Sequence, residues 1–352
     1  MAIVTLMNIS AQSNGDRLRE RFADIHFKPI ATLILDTCTV SEVKLGVTII
    51  LDVQYMPLSR KSAHLTRYLT TFLSAVELRF SDMTDPKIKL VLTDIVEMKA
   101  ADQAKIYDEI HILMNTIYGR WTRDYLKEKW NPFSRDTAIT LIMTGFDLWS
   151  AHDTVGGNIT NSADENGACT KSNVALCEDD GLTFSGVGSA AQAIAKLLGA
   201  KYDFSYGSRS CQTYRGYLLN NYDGTSDHYN LSPCGKEEIK KEIEGSNDQR
   251  KTCLSGGLNE NKAKMEVQES PELPFDFFNR TNPCNLKHGA PSCKPWRNVD
   301  GCKVDCCLKQ GVKEAVNKHD GTPCGKGKSN ICSNGECIPD PRKTGNPLKK
   351  VN

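Results

Sequence analysis

The chain has 352 residues, of which 39% are hydrophobic and 25% charged, with 44 Lys plus Arg against 43 Asp plus Glu. That near balance, with no long run of one sign, excludes the basic stripe of a nucleic-acid or polyanion binder. No apolar stretch approaches the roughly 20 residues that cross a bilayer, and the length suits one sizeable core plus something smaller.

Met1 to Met7 is apolar but lacks a preceding basic region. The start therefore reads as N-terminally incomplete, with residues 1–42 a remnant of a leader or pro-segment and Arg17 to Arg21 a candidate processing signal. Val43 to Val53, rich in β-branched residues and ended by Met56-Pro57, predicts a buried strand. Leu65, Leu69, Phe72, Val76 and Phe80 recur at helical spacing, and Asp85-Pro86 stops that helix. Ile88 to Val96 predicts a second strand, Ile106, Ile110, Leu113 and Ile117 a second amphipathic helix, and Thr137 to Met143 a third strand. Strand alternating with helix implies an α/β fold with a mainly parallel sheet.

Asn158 to Gly167 is polar and turn-rich, and Val174 to Cys177 predicts a short edge strand. Val187, Ala191, Ile194 and Leu198 share one face of a further helix, with Ser189 near its N-cap and Gly199 supplying the turn that ends it. After Cys253 the periodicity fades into Gly, Pro, Asn and Cys, so the tail is expected to be held mostly by disulfides rather than by a core.

Eight of the 14 cysteines fall between Cys284 and Cys337, an even and crowded set that reads as a disulfide framework. A zinc module is the rival, but no Cys-x-x-Cys occurs and His288 and His319 lack ligand spacing. Glycosylation sequons at Asn8, Asn158, Asn230 and Asn279 agree with an oxidising, extracellular setting.

The stretch Ser185 to Asp203, SGVGSAAQAIAKLLGAKYD, is flanked by GACTKSNVALCEDDG from Gly167, CQTYRGYLLN from Cys211 and LSPCGKEEI from Leu231. Together these resemble the reprolysin (adamalysin-type) zinc metalloproteases, those of tick saliva in particular. The resemblance implies a zincin-like domain over 43–253 with a mixed, mainly parallel sheet, and a disulfide-rich domain over 254–352.

In that family HExxHxxGxxHD supplies three histidine ligands and a glutamate general base. Here the ligand positions are Gln192, Lys196 and Tyr202 and the glutamate position is Ala193, while Gly199 and Asp203 match. An amide and a phenol replace imidazoles poorly, and an ammonium repels a divalent cation. None of the seven histidines lies four residues from another. Leu219 stands at the methionine of the family's turn beneath the metal, keeping an apolar floor.

The resemblance further implies disulfides Cys169–Cys253 and Cys211–Cys234, leaving Cys38 and Cys177 unassigned. It implies a secreted glycoprotein that binds an extracellular host or matrix protein and modulates haemostasis. No cofactor is expected, although the family uses zinc. The alternative is a secreted metalloendopeptidase with weak or retained activity, for which Glu178, Asp179 and Asp180 are candidate groups; a capping or structural role is the bland reading of that triplet. The family's substrate-facing edge strand is more apolar than NITNSADENGAC from Asn158, which puts the groove in doubt.

Overall fold

The computed structural model describes residues 41–52, 55, 62–99, 101, 116–129, 137–150, 157–206, 211, 216–220, 230–256, 272–278, 281–296, 301–326 and 329–343. Residues 39–352 form one compact unit, and a second unit, residues 1–38, lies outside the described set.

Strand β1 (Glu42–Leu51) sends Val43, Leu45, Val47 and Ile49 to one side and Ile50 to the other, as the two-residue period of a strand requires. It pairs in parallel with β2 (Lys87–Glu97) on one flank and with β4 (Ile139–Thr144) on the other. Next come β8 (Val174–Glu178), parallel to β4, and β7 (Asn161–Ala163), antiparallel to β8, giving the order β2-β1-β4-β8-β7. This is the expected mixed, mainly parallel sheet.

Both faces of the sheet are covered, which explains why β4 is buried at every residue. On one face lie helix α1 (Ser62–Leu78), through Leu65, Leu69, Phe72 and Val76, and the helix Val187–Leu197, through Ala191 and Ile194. On the other, Ile50, Ile142, Val174 and Leu176 meet Leu126 of helix α2 (Gly119–Lys129) and Leu148 of β5 (Asp147–Ser150). Strand β5 is the centre of a small sheet with β3 (Thr116–Tyr118) and β6 (Gly157–Ile159).

Several expectations change. Val174 to Cys177 lies inside the sheet, and the edge is β7, formed by Asn161, Ser162 and Ala163 from the segment whose polarity suggested turns. Those residues are buried because β7 is covered by α2 and by the Val187 helix. The helix predicted through Ile106, Ile110 and Leu113 falls outside the described residues, and its last position, Ile117, is in β3. Helix α2 escapes hydrophobic periodicity because its buried stripe, Thr122, Arg123 and Leu126, is two-thirds polar.

The tail carries α6 (Pro274–Phe277), α7 (Pro283–His288), a β9–β10 ribbon (Lys303–Cys307, Lys313–Asn317) and a three-stranded sheet of β11 (Pro323–Cys324), β12 (Asn330–Ser333) and β13 (Glu336–Pro339). Four disulfides tie it: Cys284–Cys306, Cys293–Cys307, Cys302–Cys332 and Cys324–Cys337. It also has apolar packing of its own, Trp296, Val304 and Val316 around the Cys284–Cys306 bond.

The tail is anchored to the α/β body. Phe277 packs edge-on against Phe184 at 5.2 Å and Tyr68 at 5.7 Å, and Leu273 and Ile331 cover Leu78. Arg79 donates to Asp320 at 2.6 Å and to Ser333 at 2.9 Å, with Arg79 and Asp320 side chains only 7% and 9% exposed. The expectation of a tail held mostly by disulfides therefore understates its packing.

Candidate functional site

The Val187–Leu197 helix, α3, is amphipathic, with Ala190, Ala191, Ala193, Ile194 and Leu197 all buried. Its N-cap is Gly186 and not Ser189, which lies one turn in, and no side chain caps it by itself. Asp179 takes over that task from β8: its Oδ1 accepts from the Gly186 N–H at 2.7 Å. Its Oδ2 accepts from Gly181 N–H at 2.9 Å and from the hydroxyls of Tyr68 at 2.8 Å and Tyr55 at 3.0 Å.

Asp179 is thus a buried, fully bonded anchor linking β8, α1 and the start of α3. Burial raises its pKa, and the Gly186, Tyr68 and Gly181 donors pull the other way. The rest of the acidic triplet is also committed. Glu178 accepts from the Leu148 N–H, and Asp180 accepts from the Leu182 N–H at 2.8 Å, the Thr183 N–H at 2.7 Å and the Thr183 hydroxyl. These are turn and anchoring contacts.

At the far end, Gly199 adopts φ +111°, and a Cβ there would stand 2.6 Å from Cγ of Glu242. Only glycine ends the helix in that conformation against that neighbour. The chain then turns so that Asp203 N–H donates to the carbonyl of Leu219 at 3.1 Å. Leu219 is 1% exposed and belongs to the main core, an apolar floor under α3. The Asp203 carboxylate is buried with neither oxygen in hydrogen-bond geometry. Burial raises its pKa, and the neighbouring Ser232 hydroxyl offsets only part of that.

Gln192, one turn before the helix end, is held at both ends of its amide. Its Nε2 donates to the Leu218 carbonyl at 2.7 Å, and its Oε1 accepts from Asn161 Nδ2 at 2.7 Å. The amide therefore staples α3 to the edge strand and to the Gly216–Asn220 turn. Ala193 is fully buried and offers a methyl group where a base would be needed.

Lys196 is 9% exposed, and its Nζ sits 4.9 Å from the ring centroid of Tyr202. Tyr202 in turn stacks on Phe204 at 5.4 Å and 9°, and Phe204 is 66% exposed. Burial, and after it the Arg123 guanidinium, pushes the Lys196 pKa below that of an ordinary lysine, while Glu165 and Asp164 act in the opposite sense. Burial raises the pKa of the Tyr202 phenol. The sequence alone did not point to Asn161 or Arg123; a bonding partner across strands and a polar helix stripe leave no periodic signal.

Zinc takes imidazole nitrogen, thiolate or carboxylate oxygen. Gln192, Lys196 and Tyr202 present an engaged amide, an ammonium and a stacked phenol, so these three positions do not fit the metal. Elsewhere among the described residues, the sulfurs of Cys302, Cys324 and Cys337 converge, but all three are taken up in disulfides. His319 is buried in the tail with its pKa pushed down to about 4.

Body disulfides join Cys169 to Cys253 and Cys211 to Cys234, and Cys177 is a buried free thiol. Cys38 lies outside the described residues. Of the sequons, Asn230 is exposed, Asn158 falls in β6 with its side chain outside the described set, and Asn8 and Asn279 lie outside it altogether.

No family model matches the chain. A protein of Bombyx mori described as "A disintegrin and metalloproteinase with thrombospondin motifs like" is 24% identical over 306 residues, covering 79% of this chain and 41% of that protein. The chain is a metalloproteinase relative. It spans about two fifths of the length of the protein it matches. Among solved structures, archaemetzincin from Methanopyrus kandleri is similar at TM-score 0.35 and 10% identity, over 57% of this chain and 96% of that one. Metalloproteinase-II from Bacteroides fragilis is similar at TM-score 0.36 and 13% identity, over 58% of this chain and 54% of that one.

Kinship with a metalloproteinase overturns the expectation that no cofactor belongs to this chain. With a zinc-using family as its kin, the metalloproteinase relative has zinc among its candidate cofactors, although the three positions on and after α3 do not supply the ligands. No helix among the described residues is long and apolar enough to cross a membrane.

Proposed function

We propose that this metalloproteinase relative has lost peptide hydrolysis at the α3 site and works as an extracellular binding protein. The observation that carries the reading is the Gln192 amide, bonded to both Asn161 and Leu218, with an alanine methyl beside it and an ammonium one turn on. Hydrolysis needs a group that takes a proton from water and another that stabilises the oxyanion; neither Ala193 nor the engaged amide does the first.

The six described disulfides support an oxidising, extracellular setting. A division into a protease-like domain at 43–253 and a cysteine-rich domain at 254–352 follows from the crowding of tail cysteines, and the remnant 1–42 precedes both. A host or matrix protein as target, a setting in haemostasis and glycosylation at Asn230 rest on the reprolysin resemblance and the sequon.

The test sets the natural chain beside a Gln192→His, Ala193→Glu, Lys196→His, Tyr202→His variant, both with disulfides formed. Cleavage of a mixed peptide substrate is followed by mass spectrometry, and zinc uptake by the variant is measured. No cleavage by the natural chain and one zinc taken up by the variant are expected. Chelator-sensitive cleavage by the natural chain would sink the reading in favour of a working metalloendopeptidase, the reading that the relative's name favours.

A further inference from the structure

Lys196 stands in an unusual charge environment. Along α2 and the chain after β7, Arg123 pairs with Asp164 and Asp124, both at 2.7 Å; Lys127 reaches Asp164 at 3.2 Å and Arg120 lies 3.8 Å from Asp124. Glu165 adds a third acid that acts on Lys196 without an ion pair to it. The cations Arg120, Arg123, Lys127 and Lys196 thus outnumber the acids Asp124, Asp164 and Glu165 by one.

The unmatched charge is on Lys196: among the described residues no carboxylate lies within ion-pair distance, and its one partner is the Tyr202 ring. A cation over an aromatic face recovers about 0.5–2 kcal/mol, less than a buried ammonium loses in hydration. The Nζ atom is not among the polar atoms sealed from solvent without a partner, so the small residual exposure includes the ammonium. The stack from Tyr202 to exposed Phe204 leads from it to the surface.

We infer that Lys196 is the floor of a binding site for a single carboxylate carried by a peptide segment, with Tyr202 and Phe204 forming its aromatic wall. A local excess of one positive charge matches a monoanion and is too small for a phosphate dianion. The peptide character of the ligand rests on the reading of this chain as a non-catalytic binding protein. Strand β7, the last in its sheet, lies next to the site through the Asn161–Gln192 bond, and an edge strand is where an extended segment adds. The carboxylate comes from an acidic side chain or from a peptide's C-terminus, and the two sources are separable.

The probes are three fluorescein-labelled octapeptide mixtures, randomised except at one place: central Glu with an amidated end, central Gln with a free C-terminal carboxylate, and central Gln with an amidated end. Anisotropy on the whole, disulfide-formed chain should show saturable binding of one carboxylate-bearing mixture and at least about thirtyfold weaker binding of the neutral one, the low end of the loss when a buried charge loses its partner. Lys196→Met should remove that preference, and Lys196→Arg should keep it.

Preference for the first mixture assigns an acidic side chain, and preference for the second a C-terminus. Equal binding of all three mixtures, or no saturable binding of either carboxylate mixture at millimolar peptide, overturns the inference even if neither variant folds, because the natural chain alone decides it. Cleavage of a mixture would sink the non-catalytic reading and leave the carboxylate preference to be judged on the intact peptide.

Discussion

Removing the Asp179 carboxylate should destabilise the whole molecule far more than an exposed acid would. In Asp179→Ala, Gly181 N–H, Gly186 N–H and the hydroxyls of Tyr55 and Tyr68 lose their common acceptor, with Asp179 itself only 3% exposed. A buried donor left unpaired costs about 1–3 kcal/mol, and water entering the new space recovers part of the sum. The expected loss is about 3–5 kcal/mol, the range for stranding buried charge-assisted partners. Asp179→Asn keeps the shape and half the acceptor capacity, so about half that loss is expected.

Urea unfolding at neutral pH, followed by far-ultraviolet circular dichroism with the disulfides intact, measures both. A loss below about 1 kcal/mol in Asp179→Ala, within the range of ordinary substitutions, would refute the anchoring role. The same experiment bears on function: a hydrolytic carboxylate would be removable with stability spared.

Lys196→Met should stabilise the chain at neutral pH, since it removes an ammonium that burial disfavours. The folded pKa is depressed below the unfolded one, so the penalty is complete below the folded value and fades as pH rises towards the ordinary lysine value of about 10.4; urea titrations should show the gap between variant and natural chain closing over that window. Arg79→Met leaves Asp320 buried without its guanidinium partner and should cost about 3–5 kcal/mol, with earlier proteolytic release of the tail in a limited-digestion time course. Gly199→Ala forces a Cβ into positive φ against Glu242 and should cost about 1–3 kcal/mol, read as a fall in thermal midpoint.

The parallel strands were legible because each is a run of β-branched or aliphatic residues whose burial follows local spacing, as in Val43 to Ile49 and Ile139 to Met143. Helix α1 was legible from Leu65, Leu69, Phe72 and Val76 for the same reason. Two polar elements were not. Asn161 and Ser162 form the sheet edge because neighbouring helices cover them, and Arg123 is buried because Asp164, distant in sequence, neutralises it.

At the site, sequence by itself determined which chemical groups occupy the reactive positions: an amide, a methyl, an ammonium and a phenol at Gln192, Ala193, Lys196 and Tyr202. Tertiary structure decided what those groups do. The Gln192 amide is consumed by Asn161 and Leu218, whereas the Lys196 ammonium meets a ring and no carboxylate. Both outcomes depend on partners brought in by other strands, helices and turns, and no local pattern along the chain encodes them.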